Sequence, residues 1–144
     1  MNKFLIIIFF FVVSCGPVEE INFSTPSGKP EVIIQNSNIK KIKSQIINDF
    51  LAKGGRVERD TDFSLSILVE NDNLWGQVLL GTPASGYKNF ERVDFNFAEV
   101  ETGVKVFAQY FFVTGYGTSN EQVDQMNSNS SLNQLQDYLR TLKN

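Results

Sequence analysis

The sequence predicts an α+β domain of order β-α-β-β-β-β-α, a mainly antiparallel sheet with two helices packed on one face. Two observations carry the fold class. Apolar residues recur at helical spacing from Ile39 to Leu51 and again from Leu132 to Leu142. Between them, short runs alternate apolar with polar residues and are separated by turn-forming stretches, so neighbouring strands pair antiparallel. Of the 144 residues 42 % are hydrophobic and 20 % charged. That is enough apolar material for one folded domain, and the chain is too short for two.

The first element is the strand Glu31 to Gln35, a short β-branched run. Asn36, Ser37 and Asn38 offer caps for the helix that follows. In that helix Ile39, Ile42, Ile46, Ile47, Phe50 and Leu51 form one stripe, with Lys40, Lys41 and Lys43 among the polar residues. Gly54 and Gly55 end it, because glycine accepts the left-handed conformation of a helix terminus. In residues 56–70, Phe63, Leu65, Ile67 and Val69 alternate with Ser64, Ser66 and Leu68, the pattern of a half-buried strand. Asn71-Asp72-Asn73 reads as a turn, and Leu74 to Leu80 as the next strand. Val93, Phe95 and Phe97 mark another, and Val104 to Thr114 is the most apolar of all. The stretch from Gly115 to Asn129 breaks the pattern. Ser131 and Gln134, at capping-box spacing, open the last helix with Leu132, Leu135, Leu139 and Leu142 on its apolar stripe.

The residue inventory excludes several chemistries. Without histidine and with the single cysteine Cys15, the chain has no His-based triad, no His or Cys zinc site, no CxxC pair and no internal disulfide. The acidic groups Glu58, Asp60, Asp62 and Glu70, Asp72 follow no calcium-loop pattern. Gly115-Tyr116-Gly117 lacks the spacing of a phosphate-binding loop. A net charge of −3 disfavours nucleic-acid binding, which needs clustered cations. No metal, cofactor or catalytic residue is expected, and the chain reads as a non-enzyme.

The N-terminus is more specific. Lys3 precedes an unbroken apolar run from Phe4 to Val13, too short to span a bilayer as a helix. The run ends in Val12-Val13-Ser14-Cys15, which resembles the lipobox of bacterial lipoproteins. The resemblance implies a signal peptide over residues 1–14. It also implies a diacylglyceryl group on the Cys15 thiol and a palmitate-type acyl chain on the new amine. Gly16 stands where an aspartate would retain such a protein in the inner membrane, so the outer membrane, facing the periplasm, is the expected location. Residues 15–30, with Pro17, Pro26 and Pro30, read as the lipidated cysteine and an extended tether of roughly 50 Å reach. Residues 31–144 are the single domain. Asn22 to Val32 (NFSTPSGKPEV) also resembles a segment that follows the lipidated cysteine in a family of small, uncharacterised bacterial lipoproteins. No catalytic residue carries over from them. So specific a sequence in a spacer suggests that Thr25 to Val32 docks on the domain or on a partner.

The aromatic residues give the functional expectation. On the strand 104–114, Phe107, Phe111 and Val113 lie on one face, and Val104, Val106, Tyr110 and Phe112 on the other. A sheet covered on one side should carry a polar outer face. Either the chain covers this second apolar face itself or a partner does, with Phe107, Phe111 and Trp75 as the candidate contacts. The expected role is a membrane-anchored envelope lipoprotein that binds or supports another envelope component. The alternative is a module for a lipid or small apolar ligand held between sheet and helices.

Overall fold

The computed structural model describes residues 24–70 and 89–143. Cys15, the predicted strand Leu74–Leu80 and Trp75 lie outside them. The elements are β1 (Glu31–Gln35), α1 (Ile39–Leu51), β2 (Arg56–Thr61), β3 (Ser64–Glu70), β4 (Phe90–Val100), β5 (Gly103–Thr114), β6 (Gln122–Gln125) and α2 (Asn129–Thr141). The sheet is antiparallel throughout, in the order β1-β5-β4-β3-β2. β6 also pairs with β5, antiparallel.

Two strands depart from the sequence expectation. Residues 56–70 form a hairpin rather than one strand, turning at Asp62 and Phe63. The Thr61 hydroxyl pins the turn by accepting from the Ser64 amide at 3.1 Å. Phe63 is therefore at a hairpin tip, 65 % exposed, and not in the buried row with Leu65 and Ile67. β6 arises in a stretch read as loop. Its residues are all exposed, so it shows no apolar alternation and is held by its main-chain pairing to β5.

β5 pairs with three strands. β4 pairs along one edge for its full length, while β1 takes residues 103–107 of the other edge and β6 takes 111–114. Gly103 makes the β1 approach possible. Its φ of 152° is unfavourable for other residues, and a Cβ there would overlap the Ile34 carbonyl.

Both helices have side-chain caps. The Asn38 side chain accepts from the Lys41 amide at 2.9 Å, and α1 ends where the Gly55 amide donates to the Phe50 carbonyl at 2.8 Å. α2 begins earlier than the Ser131–Gln134 spacing suggests. Ser128 is its N-cap and accepts from the Ser131 amide at 3.2 Å, which places Ser131 inside the helix. One core cluster joins Ile42 and Ile46 of α1, Leu135 and Leu139 of α2, and alternate residues of β1, β3, β4 and β5. Among the latter, Leu65, Phe95, Val106 and Ala108 are fully buried.

Candidate partner-binding surface

The opposite row of β5 carries Lys105, Phe107, Gln109, Phe111 and Val113. Pairing places Ala98, Asn96, Asp94, Arg92 and Phe90 of β4 beside them, and Ile33 and Glu31 of β1 on the other side of Lys105 and Phe107. This outer surface changes in character from one end to the other.

One end is closed by the chain itself. Leu68, Phe90 and Val113 are buried under Tyr116. The glycine turn brings that ring back: Gly115 and Gly117 both have positive φ, and the Thr118 hydroxyl donates to the Gly115 carbonyl at 2.7 Å. The Phe90 and Tyr116 rings lie 5.0 Å apart, and the Arg56 guanidinium stands 5.0 Å from one and 5.1 Å from the other. Gly115-Tyr116-Gly117 thus ends β5 and also lays an aromatic lid on the sheet.

The middle is covered by charge. The Arg92 guanidinium stands 4.8 Å above the Phe111 ring, and its Nε lies 3.4 Å from Asp94 Oδ1. Glu58 approaches the same arginine at 4.0 Å, and Arg59 donates to the Ser66 hydroxyl at 3.1 Å. Glu58 and Asp60, read from sequence as neighbouring carboxylates, pair with different cations, Arg92 and Lys43. Among the described residues no three carboxylates converge on a point that could hold a metal ion.

The far end is open. Asn96, Ala98 and Val100 are exposed on β4, and Ile33 is 43 % exposed on β1. Phe107 is half-buried there. Its ring has the Lys105 ammonium at 4.8 Å, and that ammonium pairs with Glu31 at 3.0 Å. A cleft of about 340 Å³ is lined by Ser27, Lys29, Asn96, Phe107 and Gln109.

The N-terminal segment reaches this cleft because residues 25–30 fold onto the sheet. The Gly28 amide donates to the Thr25 carbonyl at 3.0 Å, closing a turn. The Thr25 hydroxyl donates to the Lys29 carbonyl at 2.6 Å. Pro30 is buried and accepts from the Ala108 amide at 3.1 Å, which carries the β1 ladder one residue further. The last part of the expected tether therefore belongs to the domain. The next residue is bracketed from α2: the Glu31 amide donates to Gln136 Oε1 at 3.0 Å, and Gln136 Nε2 donates to the Glu31 carbonyl at 2.9 Å. A side-chain amide here replaces a neighbouring strand on the free edge of β1.

Comparison with protein-family models, with curated proteins and with solved structures found no match to this chain.

Phe107 and Phe111 do share one row, but only Phe107 borders the open end; Phe111 lies beneath Arg92. Sequence reasoning missed Ile33, Ala98 and Val100. Ile33 sits in an apolar run that gives no indication of which residues face outward. Ala98 and Val100 lie beyond the clear alternation of Val93, Phe95 and Phe97.

Proposed function

We propose that this chain is a non-enzymatic lipoprotein of the bacterial envelope, anchored through acylated Cys15 and facing the periplasm from the outer membrane. It binds another envelope protein through the open end of its outer sheet surface. In this reading both helices lie over one face of the sheet, which their shared core cluster supports, and the other face is left for contact. The observation that carries the proposal is the contrast along that face. The chain covers Phe90 and Phe111 with its own Tyr116, Arg56 and Arg92, whereas Phe107 borders a cleft among exposed Asn96, Ala98, Val100 and Ile33.

Anchor geometry supports the same end. Ser27 and Lys29 line the cleft with Phe107. The chain between Cys15 and Ser24 spans no more than about 30 Å when extended. The chain thus enters the fold beside the Phe107 cleft, which a partner held in the same membrane can reach.

Two measurements test the proposal. Metabolic labelling with a fatty-acid analogue should mark the wild-type chain and not Cys15→Ser. A photo-crosslinking residue at Phe107 should capture one discrete envelope protein in cells, while the same group at Val123 should not. A labelled Cys15→Ser chain would refute the anchor. Equal capture from both positions, or none from Phe107, would refute the surface.

A further inference from the structure

We propose that the cleft between the C-terminal end of α1 and the outer side of α2 binds a small organic ammonium ion, in competition with the chain's own Lys53. The cleft has a volume of about 260 Å³, and Phe50, Tyr110, Tyr138, Glu91 and Lys53 are among the residues that line it. It lies on the helix side of the sheet, away from Phe107, and the inference does not depend on how the chain is anchored.

Three observations give the ligand its sign. First, the walls are aromatic faces and edges: Phe50 and Tyr138 meet edge to face, 5.3 Å apart at 82°. Ring faces carry negative potential and attract cations. Second, a carboxylate backs each tyrosine. Glu91 accepts a hydrogen bond from Tyr110, and Asp49 accepts one from the Tyr138 hydroxyl at 3.2 Å. Burial, then these carboxylates, hold both tyrosines above their ordinary range, so both remain uncharged hydroxyls. Third, a cation already makes the contact. The Lys53 ammonium stands 5.7 Å from the centre of Phe50 and 5.9 Å from that of Tyr138, and it has no carboxylate within ion-pair distance among the described residues. Lys53 is exposed and held by its backbone at the end of α1, where its amide donates to the Phe50 carbonyl at 3.0 Å. Its flexible side chain can swing out and give up the rings to a ligand cation.

This geometry makes an unusual prediction. Removing the positive charge of Lys53 should tighten binding, because a competitor is lost. Removing the negative charge of Glu91 should weaken it.

The test follows amide shifts of the full chain in a maltoside detergent while choline is added. Saturable shifts confined to residues near positions 50–53, 91–93 and 134–138 are expected, with affinity in about the millimolar range for so small a ligand. The neutral isostere 3,3-dimethylbutanol should bind about tenfold more weakly, Lys53→Gln should tighten choline binding about threefold, and Glu91→Gln should weaken it about fivefold. Equal affinity for the neutral isostere, weaker binding by Lys53→Gln, or no saturable shift at about 50 mM choline would each overturn the proposal. Competition by phosphatidylcholine vesicles, but not by phosphatidylglycerol vesicles, would place the ammonium on a lipid headgroup. Lack of competition would place it on a free solute.

Discussion

Replacing Gln136 with leucine should cost more stability than any surface change in this domain. The Gln136 side chain satisfies both the amide and the carbonyl of Glu31, at 3.0 and 2.9 Å, and both residues are buried. Leucine removes two hydrogen bonds and leaves a backbone donor and acceptor unpaired in a place that water does not reach freely. Each of the two stranded groups costs roughly 1–3 kcal/mol, and the added apolar burial returns about 1 kcal/mol, so the net loss is about 1–5 kcal/mol. For a domain of this size that lowers Tm by about 4–20 °C. Urea unfolding followed by circular dichroism measures the total. Hydrogen exchange then locates it: the Val32 and Ile34 amides, which pair β1 with β5, should lose protection, while those of β3 and β4 should follow only the global change. Gln136→Glu keeps an acceptor for the Glu31 amide but brings a carboxylate to the Glu31 carbonyl, so it should be at least as damaging. A loss below about 1 kcal/mol, with Val32 protection unchanged, would show that the bracket does not hold β1.

Gly103→Ala combines an unfavourable φ with overlap of the Ile34 carbonyl, and should cost roughly 2–4 kcal/mol in urea unfolding. Ser128→Ala removes the α2 cap and should cost about 1 kcal/mol; no change would return the helix start to Ser131. Phe63→Ser should stay within about 0.5 kcal/mol, since that ring is at a hairpin tip, whereas a buried-row phenylalanine would cost several times more. Tyr110 and Tyr138 have folded pKa values raised above the ordinary 10.0, first by burial and then by Glu91 and Asp49 respectively. Their contribution is complete below pH 10.0 and is lost as pH rises toward the folded values, because the unfolded chain releases those protons first. Stability should therefore fall above pH 10.0. Tyr138→Phe should reduce that alkaline slope by about half, at a neutral-pH cost of about 1 kcal/mol for the lost bond to Asp49.

What could be read from the sequence is what burial writes into it. The stripe from Ile39 to Phe50 and the leucines of α2 face the core, and the alternation of Val93, Phe95 and Phe97 marks one side of β4. β2 and β6 left no such mark. They are exposed strands without an apolar row: main-chain pairing, which any residue but proline can complete, holds β6, and in β2 it is joined by the contacts of Arg56, Glu58, Arg59 and Asp60. The outer surface was legible only in part. Phe107 and Phe111 could be assigned to one row by parity, but their different surroundings depend on Arg92, Lys105 and the fold of Ser27 and Lys29, which no local pattern encodes. The partnership of Gln136 with Glu31, distant in sequence, had no local signal beyond the position of Gln136 on the apolar stripe of α2, four residues after Leu132 and three before Leu139.

The junction at Pro30 also determines how the domain bears a load. A pull on the residues before Ser24 enters the fold at the start of β1, beside the middle of β5 rather than at a free corner of the sheet. It meets the bond from Ala108 to Pro30 first, and then the grip of Gln136 on Glu31. α2 and β5 therefore share the first strain before the rest of the β1 pairing opens. Because β1 and β6 lie end to end along β5, peeling β1 away leaves the β5–β6 ladder standing. Losing β1 would also take Val32 and Ile34 out of the core they share with both helices, so traction at this junction works against the core as well as the ladder.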